Sequence, residues 1–272
     1  MFGLSGQVGD ALLPGLLSRG EPVLAASRLS RPALAGVQWL RSSFESLASV
    51  PEGVSTIISL GPLEQFSEWF VRVGPQAIRV VALGSTGRIH KQLSPDPAER
   101  AVARALDVAG QALLDAGDRL GCQVTVLEPT LLYGNGRDRS LSRLAAFARR
   151  WRVLPLPARA AGLRQPVHVG DVARAVLDSL RVPATFGRRF ELPGGEALPF
   201  DAMVMRTLAR HAPGATVLRL PTPLFALAIW IGTRASGSPA SPGMLARVHV
   251  DQTADPSLAR DAFGYEPRAF DP

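Results

Sequence analysis

The sequence predicts an α/β fold: an open, doubly wound parallel sheet with helices on both faces and a small C-terminal lobe. Three observations carry this reading. Strand-like and helix-like segments alternate through the first two thirds of the 272 residues, the pattern of βαβ units. The strand-like runs are short and almost continuously apolar, as parallel strands buried on both faces are. A glycine-rich turn opens the chain and leads directly into a helical pattern.

The elements follow in order. The turn Gly3-Leu4-Ser5-Gly6-Gln7-Val8-Gly9 starts a helix over residues 7–18, and strands are expected at 22–27, 37–40 and 55–60. A helix over 63–73 carries Phe66, Phe70 and Val73 at helical spacing. A strand at 78–83 precedes the clearest helix, 98–120, whose apolar face reads Val102, Leu106, Ala109, Leu113 and Leu120. A further strand is expected at 123–127. Beyond about residue 160 the pattern loosens into helices joined by loops such as Leu192-Pro193-Gly194-Gly195. Residues 1–160 are therefore read as the core, and 161–272 as a mixed segment that completes it and forms the smaller substrate lobe.

The first strand is the irregular one. Only Met1 and Phe2 precede Gly3, and two residues extend roughly 7 Å, too short to pair along both neighbours. A truncated first strand of four residues or fewer is expected. Either an apolar segment lies upstream in the natural chain, or a stub is completed by side chains or water.

Composition narrows the function. A hydrophobic fraction of 46% suits a sizeable core. The single cysteine, Cys122, rules out an intrachain disulfide and a cysteine-rich zinc site. No metal is expected, and a reducing, cytoplasmic setting fits. The net charge is +7, but Lys91 is the only lysine and the arginines are scattered with no nucleic-acid motif, so no nucleic-acid partner is expected. No signal peptide opens the chain, and the most apolar stretch, 220–232, is shorter than the ~20 residues that span a bilayer.

The glycine turn has a specific chemistry. Glycines permit a tight turn and close approach of a pyrophosphate, and the helix N-terminus then offers N–H groups and a favourable dipole. Gly3, Ser5, Gly6, Gln7 and Val8 are the candidate contacts, in a Rossmann-like arrangement. Cofactor choice is read where the next strand ends, at Ser27 and Arg28, with Arg31 close behind. No carboxylate is present for ribose hydroxyls, so NADP is expected over NAD; the simpler reading makes Arg28 a solvated loop residue. Leu60-Gly61-Pro62 and Gly84-Ser85-Thr86 end later strands and belong to the same carboxyl edge.

Several stretches in order resemble the NAD(P)-dependent epimerase/dehydratase family, an extended branch of the short-chain dehydrogenases. Glu128-Pro129-Thr130-Leu131-Leu132-Tyr133-Gly134 is similar to its R-P-x-x-x-Y-G. Residues 164–173, with Arg164, His168, Asp171 and Ala173, are similar to R-x-x-x-H-V-x-D-x-A. The ending Gly264-Tyr265-Glu266-Pro267-Arg268-Ala269-Phe270 is similar to G-Y-x-P-R-x-F. The resemblance covers nearly the whole chain. It implies a nucleotide sugar or similar anion as substrate, Ser85 and Thr86 as catalytic hydroxyls, and Tyr133, Asn135, Arg137 and Arg164 as substrate contacts, with Arg139 nearby. Arg164 would grip a diphosphate, although a structural ion pair is equally open.

The departures are as informative. The family's tyrosine and lysine, Y-x-x-x-K, fall on Val102 and Leu106 here, and the chain's only tyrosines, Tyr133 and Tyr265, belong to other motifs. Glu128 replaces an arginine. His90 and Lys91 lie just beyond the serine in the same loop; His90 could act near neutral pH, and the simpler reading makes both ordinary loop residues. Asp171 is expected to cap a helix over 172–180. Two classes of function stay open: an oxidoreductase with non-standard proton transfer, or a catalytically silent dinucleotide-binding sensor, regulator or assembly factor.

Overall fold

A computed structural model describes residues 1–138, 140–221, 223–225, 227 and 248–272. After the glycine turn come α1 (Gln7–Leu17), β1 (Val23–Ser27), β2 (Val37–Arg41), β3 (Thr56–Ser59), α2 (Leu63–Val73) and β4 (Arg79–Leu83). Then follow α3 (Gly87–His90), α4 (Pro97–Arg119), β5 (Gln123–Pro129), β6 (Leu132–Tyr133), α5 (Leu141–Trp151), β7 (Val153–Pro157), β8 (Leu163–Arg164) and β9 (Val167–His168). The described elements close with α6 (Val169–Ser179), β10 (Arg188–Leu192), β11 (Leu198–Pro199), α7 (Phe200–His211), β12 (Thr216–Leu220) and α8 (Ser257–Phe263).

The main sheet is parallel. β10, β5, β4 and β3 are hydrogen-bonded neighbours in that order, and β1 pairs with β2. Phe2 joins the two halves, bridging Ser59 on one side and Ala26 on the other. Helices cover both faces. Leu12 and Leu16 of α1 and Val172 and Val176 of α6 pack with Val81, Leu127 and Phe190. On the opposite face Phe66, Trp69 and Phe70 of α2 and Leu106 and Leu113 of α4 pack with Val80, Val124 and Val126. This is the doubly wound arrangement that the alternating pattern predicts.

The first strand is short, as expected, but it does pair on both sides. Phe2 donates to Ile58 and accepts from Leu60, at 2.8 and 3.0 Å, while Ala26 donates to the Met1 carbonyl at 2.8 Å. The Met1 amine adds a bond to the Leu24 carbonyl at 2.6 Å, and burial lowers its pKa to about 6. The Phe2 ring fills the face below, with centroids 4.7 Å from Phe44 and 4.9 Å from Trp69. The backbone of Phe2 thus pairs in the plane of the sheet while its ring packs on one face.

Hydropathy misjudges the start of β4. Ile78, read as the strand's first residue, is 70% exposed, whereas Arg79 is 5% exposed. The Arg79 guanidinium meets six acceptors: the carbonyls of Val80, Gln123, Ser179 and Leu180 and the hydroxyls of Thr125 and Thr185. Neutral acceptors replace its hydration, and burial lowers its pKa to about 10. On α4, Val102 and Leu120 are exposed; Ala103, Leu106, Ala109, Leu113 and Ala116 form the buried stripe.

The helix expected over 172–180 starts earlier, at Val169, and Asp171 is not its cap. His168 caps it, its Nδ1 accepting from the Gly170 N–H at 3.0 Å. Asp171 is buried inside the first turn and pairs with Arg174 and Arg268. Arg268 belongs to the C-terminal tail, which Tyr265 also ties down through its hydroxyl to the Pro193 carbonyl at 2.8 Å. α5, β7, α7 and β12 gather around a separate cluster of Leu154, Leu156, Val204 and Leu208. No described helix is long and apolar enough to cross a membrane; most of the 220–232 stretch lies outside the described residues.

Candidate functional site

The glycine turn runs off the Phe2 bridge at the carboxyl edge of the sheet. Gly3 has φ +78°, and a Cβ there would lie 2.9 Å from the Leu60 carbonyl carbon. A Cβ on Gly9 would run into the Leu4 carbonyl. The turn thus seats α1 tightly against the strand ends. Its cap, Gly6, supplies no side-chain bond, and Asp10 is the first helix N–H bonded back to the turn, to the Gly6 carbonyl. The N–H groups of Gln7, Val8 and Gly9 stay open to a ligand. Gln7 Oε1 is buried and has no partner among the described residues.

Two arginines converge on this turn. Arg31 donates to Ser27 Oγ at 3.2 Å and to Ser5 Oγ at 3.0 Å. Arg137 donates to the Ser5 carbonyl at 3.0 Å and pairs with Asp10. Ser5, Asp10, Arg31, Leu34, Trp39 and Arg137 line a cavity of about 250 Å³ beside the turn. The sequence pointed to Arg28 for the cofactor; Arg28 is exposed and makes no bond among the described residues, and Arg31 is the cation brought to Ser27. A larger depression of about 420 Å³, lined by Gln165, Gly194, Gly195, Arg260 and Glu266, contains none of the glycine-turn or β4-edge residues.

Leu60, Gly61 and Pro62 pass directly over the turn: the Leu60 N–H donates to the Phe2 carbonyl, and Pro62 starts α2. At the end of β4, Gly84 packs on Glu128 and leaves no room for a side chain, since a Cβ would stand 3.1 Å from its Cγ. The two hydroxyls that follow differ. Thr86 is buried and its Oγ1 donates to the Pro129 carbonyl at 3.3 Å. Ser85 is half-buried, and its Oγ accepts from the Gly87 N–H at 3.0 Å, which leaves its proton available to a ligand.

Glu128, the residue in place of an arginine, is 1% exposed. Arg88 of α3 grips it with two nitrogens, at 2.9 and 2.8 Å, and Arg189 approaches to 3.9 Å. The bond to Glu128 raises the Arg88 pKa. His90, two residues on, has a buried Nε2 without a partner among the described residues. Burial, and then the Arg164 charge, hold its pKa below the ordinary imidazole value. On α4, Val102 is 40% exposed and Leu106 is 8% exposed; neither carries a proton.

The residues expected to touch substrate separate. Tyr133 is buried, its ring against His168 and Phe270 and its hydroxyl 3.4 Å from the Ala269 carbonyl and 3.3 Å from the Asp271 N–H. It serves the C-terminal tail, and burial raises its pKa. Asn135 is exposed in a turn with φ +56°. Arg137 sits at the glycine turn, and Arg139 lies outside the described residues. Arg164 is 5% exposed, donates to the Leu163 and Val250 carbonyls at 2.7 and 2.9 Å, and stacks on Phe200. Arg31 and the Arg88–Glu128 pair are the site features that sequence reasoning underweighted; the absence of a carboxylate after β1 was the available signal for the first.

No family model matches the sequence, and no curated protein matches it. Solved structures do. MoeE5 in complex with UDP-glucuronic acid and NAD is 19% identical, with 99% of this chain and 93% of that chain covered at a TM-score of 0.72. UDP-glucose 4-epimerase from Thermotoga maritima, with UDP-glucose, is 15% identical over 98% and 92% at 0.70. TunA, an NAD-dependent NDP-hexosamine 5,6-dehydratase, is 16% identical over 98% and 92% at 0.68. The chain therefore has the Rossmann-like fold of the NAD-dependent nucleotide-sugar epimerases and dehydratases.

Proposed function

We propose that the protein binds a nicotinamide dinucleotide, NADP in preference to NAD, and acts as an epimerase/dehydratase-like oxidoreductase on a nucleotide sugar or similar anion. The observation that carries the reading is the uncapped N-terminus of α1, seated by Gly3 and Gly9 and flanked by Arg31 and Arg137. The N–H groups of Gln7 and Val8 hold the pyrophosphate, and Gly6 lets it approach. Arg31, with Arg28 behind it, takes the 2′-phosphate by charge-assisted bonds. Leu60, Gly61, Pro62 and Gly84 form the apolar and backbone walls.

The bound nicotinamide supplies hydride transfer. The chain's own contribution lies at the end of β4, where the Ser85 hydroxyl donates to the reacting oxygen and Thr86 fixes the loop through Pro129. His90 is the one group beside this loop whose lowered pKa leaves it neutral, able to accept a proton near pH 7. Arg164 and Asn135 face the anionic end of the substrate in this reading, with Arg164 repacking away from its carbonyls. A second reading, a silent dinucleotide-binding sensor or regulator, is favoured by Val102 and Leu106 in the tyrosine and lysine positions.

A thermal-shift screen with NAD, NADP, UDP-glucose and UDP-glucuronic acid separates the two. Stabilisation grows as RT ln(1 + [L]/Kd), so ligands of the native state register directly. Joint stabilisation by NADP and a nucleotide sugar supports the oxidoreductase. Stabilisation by the dinucleotide alone supports the sensor, and no shift with any dinucleotide overturns both.

A further inference from the structure

The acids of this chain, more than its arginines, are unevenly placed. Residues 139–170 and 202–250 carry 12 arginines and no aspartate or glutamate, so the other 18 cations face all 23 acids. The positive excess belongs to these two stretches, and the rest of the chain is net negative. The two stretches include α5, β7, β12 and most of α7, which pack together on Leu154, Leu156, Val204 and Leu208.

Helix α5 shows what this charge surrounds. Its buried residues, Leu141, Ala145 and Ala148, follow helical spacing along one side. Arg143, Phe147 and Arg150 repeat that spacing two positions on, which puts them on the opposite side, and all three are exposed, as is Trp151. The Phe147 and Trp151 ring centroids are 6.3 Å apart, and the Arg150 guanidinium lies 5.4 Å from the Trp151 centroid. Arg143, Arg149 and Arg150 have no carboxylate partner among the described residues. Cations suit the C-terminal end of a helix dipole, which accounts for Arg149 and Arg150 but not for two exposed rings or for the missing acids. Packed beside α5, α7 exposes Met205 and Arg210.

Aromatic rings and unpaired arginines on the outer side of an amphipathic helix are the composition of a helix that lies in a membrane interface. The apolar body and polar N–H of an indole suit the headgroup level, and each arginine near an anionic leaflet adds attraction. A nucleic acid would use the charges and the rings. It has no use for Met205, or for Leu224 and Leu227, which follow β12 and are about half exposed.

We propose that the outer face of α5, with α7 beside it, docks on an anionic lipid surface, with Phe147 and Trp151 entering the headgroup layer and Arg143 and Arg150 meeting its phosphates. The face shares no residue with the glycine turn or the β4 edge, so docking and dinucleotide binding are separate properties of the molecule.

Co-sedimentation of the intact chain with phosphatidylcholine vesicles, with and without a third of phosphatidylglycerol, tests it. Binding to the anionic vesicles should exceed binding to the neutral ones by about tenfold or more, and half-molar salt should weaken it. Arg143→Gln with Arg150→Gln should lower the partition by about tenfold or more, since each arginine near the charged surface contributes about fivefold. Trp151→Ser alone should also lower it. The melting temperature should not move in either variant, because these side chains are exposed. Arg104→Gln with Arg119→Gln, which removes the same charge from the exposed side of α4, should bind as the intact chain does. No binding to anionic vesicles, binding that ignores lipid charge, or equal losses from the α5 and α4 pairs overturns the docking face. Retention of a single-stranded oligonucleotide in place of vesicles, lost with the α5 pair, also overturns it, by giving the same face to a nucleic acid.

Discussion

The glycine turn and helix α4 flank the same edge of the same sheet, and they keep different things. The turn keeps its glycines, its open N–H groups and two arginines over Ser5. Helix α4 keeps its packing, with Leu106 and Leu113 in the core, but presents no proton-carrying side chain at residues 102 and 106. Holding a ligand and reacting with it are separable, because the first is built from backbone geometry and the second from a few side chains. The Arg88–Glu128 pair ties α3 to the end of β5.

The largest effect should come from that pair. Arg88→Met leaves Glu128 with only the more distant Arg189, and breaking a buried ion pair costs about 3 kcal/mol or more. Urea denaturation measures it; a loss below 1 kcal/mol means the carboxylate is solvated. Glu128→Gln, which removes the charge and keeps the shape, should cost clearly less.

Gly9→Ala comes next. Its Cβ must displace the Leu4 carbonyl, and overpacking of this kind costs about 1–3 kcal/mol. Dinucleotide binding should fall with it, while Val102→Ala on the other side of the comparison should leave binding unchanged. Equal losses from both would erase the distinction between the regions.

Arg31→Ala should abolish the preference for NADPH over NADH, a change of about tenfold for one charge-assisted contact. Arg28→Ala should do less, because Arg28 makes no bond to the turn. A preference that survives Arg31→Ala but not Arg28→Ala would return the role to the residue first read from the sequence.

The smallest effect is on pH. The Met1 amine has a pKa lowered from 8.0 to about 6 by burial, and His90 and His168 are lowered too. In each case the unfolded chain binds the proton more readily, so stability rises with pH. The urea midpoint should climb from pH 6 to 8 and level off above, with the histidines extending the loss below pH 6.5. A flat profile would mean these bases are hydrated in the fold.

Much of the fold was legible because it is periodic. The helix at Leu63–Val73 was read with its bounds, and the β4 and β5 runs were read to within two residues. What failed depends on partners far along the chain. Arg79 is buried because carbonyls some 100 residues away surround it. Asp171 left the cap to His168 because Arg268 holds it from the C-terminal tail. The Tyr133 hydroxyl also meets that tail, a partner 138 positions away that no local pattern announces. The candidate site divides similarly: the glycine turn is a local sequence feature, whereas the bond from Arg31 to Ser5 and the pairing of Arg88 with Glu128 join residues 26 and 40 positions apart and show only in the fold.

The central claim is that the glycine turn is a working dinucleotide site whatever has become of α4. Calorimetric titration of NADPH into the intact protein and into Gly9→Ala tests it most directly. Saturable one-to-one binding to the intact protein, lost in the variant, is the result this account predicts. No heat of binding at millimolar NADPH or NADH, with the protein folded throughout, would contradict it.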